Sequence, residues 1–155
     1  MTRVEELASQ FESITASAVQ ALEASDESLW QNKSNAEGWT VAALAHHFSS
    51  GLEPINGLVQ GMAAGAELPP ITPEMLEASN VANAQENAAA QKQTVVALLK
   101  QNSATALNAL RQLNDEQLQR SADLFGNTVT TEQVVQGILI GHIQEHLDSF
   151  KATVG

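Results

Sequence analysis

The chain is 155 residues long, carries a formal net charge of −11 and contains no cysteine. That length suits one domain that buries its own core without disulfides, so a single bundle over residues 1–155 is expected. Eighteen Asp and Glu against seven scattered Lys and Arg leave no basic stripe to neutralise phosphates, which argues against nucleic acid and anionic membrane surfaces as partners.

The lack of cysteine also excludes a thiolate metal ligand and a cysteine nucleophile from this chain. Residues Met1 to Glu6 turn acidic at once and lead into no apolar run, unlike a secretory signal. No stretch approaches the ~20 apolar residues of a membrane span. The expected location is the cytoplasm.

Apolar residues recur with helical spacing throughout, and Ala, Leu, Gln and Glu dominate. The fold class predicted is all-α. Helix 1 is expected from Arg3 to about Ala24, opened by a capping box of Thr2 and Glu5. Its stripe is Val4, Leu7, Phe11, Ile14, Ala18 and Leu22. The polar segment from Ser25 to Gly38 holds Leu29 and Trp30 as plugs. Thr40 caps helix 2, with Trp39 as a staple on Leu44, and the helix continues to about Gln60 with a kink near Pro54. Gly61 to Pro73 reads as a long crossover. A third helical region covers Glu74 to Leu113 with a break near Asn87–Ala90, followed by a short helical turn from Asn114 to Gln119. Phe125-Gly126-Asn127 is a turn. Thr130 and Gln133 form another capping box, and helix 4 runs from Thr131 to about Ala152.

The four histidines carry the chemistry. His142 and His146 are four apart on helix 4, which places their Cβ atoms about 6 Å from each other on one face, a workable bite for a metal ion. His142 lies one turn after Ile138, on the inward side, where an unpaired imidazole costs about 1–3 kcal/mol. His47 lies among Ala43, Leu44, Gly51 and Ile55 on the core side of helix 2. His46 is rotated by about 100° from it, towards solvent or helix 1. The helical rise puts His47 about 10 Å from the start of helix 2, and His146 and His142 about 9–15 Å from the end of helix 4. The three share one level if helices 2 and 4 run antiparallel, as in a four-helix bundle of up-down-down-up order whose long crossover joins helices 2 and 3.

Trp39-Thr40-Val41 with His47 eight positions after the tryptophan, and His142-x-x-x-His146 near the C-terminus, resemble the DinB/YfiT-like superfamily. Asp26-Glu27-Ser28-Leu29-Trp30, Leu113-Asn114-Asp115-Glu116-Gln117-Leu118 and Phe125-Gly126 extend the resemblance over nearly the whole chain. It implies an up-down-down-up four-helix bundle with one divalent metal ion (Zn, Ni, Fe or Mn) on His47, His142 and His146. It also implies homodimers, and transfer of low-molecular-weight thiols such as mycothiol or bacillithiol.

Three neutral imidazoles leave coordination positions open, as a catalytic site requires. With no cysteine in the chain, any sulfur nucleophile is a small-thiol cosubstrate. The function expected is therefore a metal-dependent thiol transferase. A metal-dependent hydrolase and a non-catalytic binding bundle are the alternatives. No general base is identifiable: Glu145 points away from His146, and Asn83 and Asn87 read as exposed amides.

Overall fold

The structure, a computed structural model, describes residues 1–155. Helix α1 (Arg3–Ala24) begins at the expected capping box, with Thr2 and Glu5 each bonding the other's backbone. Its buried face holds Val4, Leu7, Phe11, Ala18 and Leu22. A single 3₁₀ turn (Glu27–Leu29) then delivers Trp30 into the core, where its ring meets Phe150 edge-on at 6.1 Å and Nε1 donates to Ser25 Oγ.

The second helical stretch divides in two. Helix α2 (Val41–Ser50) starts on Thr40, whose Oγ1 accepts from the Ala43 N–H, and α3 (Leu52–Ala63) follows. The break falls at Gly51, within one turn of Pro54, near which the sequence places a kink. Pro54 occupies the first turn of α3, where no intrahelical N–H bond is required and its ring is tolerated. Gly65 (φ +72°) ends α3: its N–H bonds Met62 O, and the Ala66 N–H bonds Gly61 O. This double closure needs a left-handed residue that glycine adopts without strain. The crossover of residues 64–72 follows.

The third region breaks as expected, into α4 (Pro73–Glu86) and α5 (Lys92–Arg111). Ala84 is the only buried residue of α4, which rides on the outside against α2, whereas α5 buries Val95, Leu99, Ala106 and Leu110. Helix α6 (Asp115–Gln119) opens on an Asn114–Gln117 capping box.

The all-helical expectation needs one correction. Strands β1 (Ser121–Leu124) and β2 (Asn127–Thr130) form an antiparallel hairpin, Ser121 opposite Thr130. Phe125 and Gly126 both have positive φ at its turn (+53° and +82°), the pairing that matches strand twist in a two-residue loop. Four-residue strands with little apolar alternation carry too weak a period to be read from sequence.

The last helix is continuous but not uniform. It starts as α7 (Thr131–Val134) on the Thr130–Gln133 capping box, widens into a π-helical segment (Val135–Ile140), and continues as α8 (Gly141–Val154). The wider turn rotates α8 relative to α7, immediately ahead of His142.

The core joins Phe11 and Leu22 from α1, Leu44 and Phe48 from α2, Leu99 and Leu110 from α5, and Leu139 and Phe150 from the last helix. Helix α1 packs on α5 and α8, and α2 packs on the same two helices. Polar ties mark the levels. Lys92 Nζ at the start of α5 bonds Glu23 O and Ser25 O at the end of α1, and Arg111 pairs with Glu12. Arg3 pairs with Glu132 and bonds Gln136. Thr40 Oγ1 donates to Ala88 O, and Asn102 donates to Ser49 O. No helix is long and apolar enough to cross a membrane.

Candidate metal centre

The helical period places His47 of α2 on the side that faces α8, and the four-residue spacing stacks His142 and His146 on one face of α8. The structure brings all three together. Their ring centroids lie 4.8 Å apart for His47–His142, 4.8 Å for His47–His146 and 4.6 Å for His142–His146, and one nitrogen from each falls within 4.8 Å of the others.

Burial lowers the pKa of His142 to about 3, helped by the neighbouring His47 and His146 rings. Burial likewise lowers that of His47 to about 4, with His146 adding to the effect. Both rings are therefore neutral at neutral pH and present lone pairs. Nε2 of His142 is buried and has no hydrogen-bond partner. A ring with an orphaned nitrogen, packed against two further imidazoles, fits a divalent cation, because such an ion can supply a missing partner.

Two further features tighten the site. The Trp39 ring meets the His47 ring at 5.1 Å and 71°, so this side chain borders the site as well as preceding helix α2. Gly51, at the α2–α3 break, lies against the His142 ring: a β-carbon there would sit 2.9 Å from His47 O and 3.1 Å from His142 Nε2. Only glycine leaves that space to the imidazole.

His46 stays out of the cluster. It is half-buried, so burial lowers its pKa, and the Glu86 carboxylate at the end of α4 partly offsets that effect. Glu145 and Asn83 are exposed, as expected, and the Asn87 amide bonds Asn83 O at the end of α4.

The residue that sequence reasoning missed is Glu37. Its carboxylate lies 3.0 Å from His146 Nδ1 and accepts a 2.6 Å bond from Ser149 Oγ. Burial raises its pKa, but the hydrogen bonds from Ser149 and His146 outweigh that and leave the carboxyl below the usual range. A faint signal existed: Glu37 is a lone carboxylate two residues before Trp39, in the loop leading into the His47 helix.

Fold and site together define a helical bundle with a half-buried three-histidine cluster. Over residues 9–146 the sequence matches the family described as the mycothiol maleylpyruvate isomerase N-terminal domain, within the DinB/YfiT-like superfamily, and the chain belongs to that family. Among solved structures, YfiT from Bacillus subtilis, described as a probable metal-dependent hydrolase with an unusual four-helix bundle topology, is similar with a TM-score of 0.79. It is 20% identical, and the alignment covers 99% of this chain and 87% of that one. The mycothiol-dependent maleylpyruvate isomerase is similar with a TM-score of 0.76 at 18% identity, over 96% of this chain and 61% of that one. A mutant of the isomerase gives 0.77 at 16%. This chain thus spans about three fifths of the isomerase's length, and at these identities the likeness is one of fold. No curated protein matches the sequence.

Proposed function

We propose that this chain is a divalent-metal-dependent enzyme that transfers a low-molecular-weight thiol, with His47, His142 and His146 as the metal ligands. The observation that carries the reading is the clustering of three imidazoles, one nitrogen of each within 4.8 Å of the others, with the His142 Nε2 buried and unpartnered. The chemistry a zinc, nickel, iron or manganese ion supplies there is Lewis-acid polarisation, which favours the deprotonated form of a coordinated thiol. His47 and His142 offer neutral lone pairs, Glu37 holds the His146 ring, and Trp39 packs edge-on against the His47 ring. Because the chain has no cysteine, the sulfur comes from a cosubstrate, as the thiol-dependent relative suggests.

A second reading, metal-dependent hydrolysis, is favoured by the similarity to YfiT over 87% of that chain. The level ties support an up-down-down-up helix order: the start of α5 meets the end of α1, and the start of α1 meets the start of α7. A homodimer is proposed on the family resemblance alone.

The test begins with metal content. Untagged protein should carry near-stoichiometric divalent metal, and His142→Ala should lose it; metal-free native protein with an intact fold would leave a non-catalytic binding bundle instead. The metal-loaded protein is then given monochlorobimane with and without a panel of small thiols. Turnover that requires a thiol supports transfer, and turnover indifferent to thiols supports the hydrolase.

A further inference from the structure

Residues 30–40 form a built connection. The Val41 N–H bonds Asn32 O and the Ala42 N–H bonds Trp30 O, so the segment is tied to the first turn of α2. Lys33 bridges to Thr40, the Ser34 N–H donates to Trp39 O at 2.7 Å, and Gly38 takes φ +74° to close the turn. The segment and the helix that carries His47 therefore form one unit, and Glu37 projects from it. Both hydrogen bonds that Glu37 makes to other elements come from α8, the helix that carries the other two histidines. The Asn35 N–H adds a third tie, to Thr153 Oγ1.

An ionised carboxylate only accepts hydrogen bonds, so the Nδ1 facing Glu37 must carry the ring's hydrogen. That leaves Nε2 as the lone pair of His146. The carboxylate is 11% exposed and the imidazole 14%, so water competes little for either. We propose that Glu37 is the positioning residue of the metal centre: anchored by Ser149, its carboxylate locks the His146 ring in the Nδ1–H tautomer and ties the two ligand-bearing helices at one level. The proposal rests on the metal-site reading above for its effect on affinity, but not for its effect on the tautomer. A carboxylate behind a ligating histidine fixes the ring and raises its basicity, and losing one weakens metal binding about 10–100-fold.

Zn²⁺ affinity is measured by competition with a chromophoric chelator for the wild type, Glu37→Gln, Glu37→Asp and Glu145→Gln, alongside thermal melts of the metal-free forms. Glu37→Gln keeps the shape and loses the charge; Glu37→Asp keeps the charge and withdraws it by one methylene. Both should bind Zn²⁺ at least tenfold more weakly while the metal-free forms still melt cooperatively as folded protein, and the exposed Glu145→Gln control should match the wild type. An aspartate variant that binds like the wild type would assign the effect to net charge and overturn the positioning role. Histidine ¹⁵N spectra of the metal-free proteins supply a second readout: His146 should be an Nδ1–H tautomer in the wild type and a mixture in Glu37→Ala. An unchanged tautomer overturns this inference alone, whereas wild-type protein without Zn²⁺ affinity overturns the metal-site reading alone.

Discussion

Gly51 and His142 are in contact across the α2–α8 interface, such that a single β-carbon at position 51 would stand 3.1 Å from the imidazole Nε2. Gly51 has ordinary helical dihedrals (φ −64°, ψ −19°), so backbone conformation does not require glycine there. The demand is for space.

Gly51→Ala therefore separates two effects. A compatible backbone gains about 0.4–1 kcal/mol from the unfolded state, while overpacking costs about 1–3 kcal/mol. The variant should be less stable in urea unfolding, with Zn²⁺ binding weakened about tenfold or more as the ring is displaced. An alanine variant as stable and as tightly binding as the parent would show that the interface yields freely.

His142→Leu should move stability and metal binding in opposite directions. The buried Nε2 has no partner in the metal-free chain, and an unsatisfied buried polar group costs about 1–3 kcal/mol. Replacing it with an apolar side chain should raise the metal-free urea midpoint while abolishing metal uptake. A lowered midpoint would mean the imidazole is well satisfied without metal.

The metal-free protein should lose stability as pH falls from about 6.5 towards 4. His47 and His142 titrate at about 4 and about 3 in the fold, against 6.5 ordinarily. Over that window the unfolded chain binds protons that the folded rings refuse, so stability rises with pH. The lowered Glu37 pKa acts in the same sense, stabilising above the usual glutamate value and failing in acid. Melting temperatures at pH 5 and pH 7 check this. The drop at pH 5 should shrink when His47 and His142 are both replaced by leucine, and a flat wild-type profile would contradict the burial of the rings.

Thr40→Ala removes the cap on α2 and the bond from Oγ1 to Ala88 O at 2.7 Å. The two losses together should cost about 1–3 kcal/mol in denaturant unfolding, and Thr40→Ser, which keeps the hydroxyl, should recover most of it. Equal destabilisation by both variants would point to the lost methyl instead.

What the sequence determined by itself was everything with a short range. The capping boxes at Thr2–Glu5 and Thr130–Gln133, the break after Glu86 and the shared face of His142 and His146 depend on residues three or four apart, and helical geometry alone turns that spacing into contact. The pairing of His47 with that face was legible too, through helix lengths and levels.

Tertiary structure decided the rest. That position 51 has room for no side chain depends on what faces it, and that is His142, far away in sequence. His46 feels the Glu86 charge because α4 packs against α2. Glu37 lies 109 residues from His146, and no local period connects a loop carboxylate to a ring on another helix. A periodic pattern shows which face of an element is buried, but only packing brings two such faces together and selects the side chains that meet.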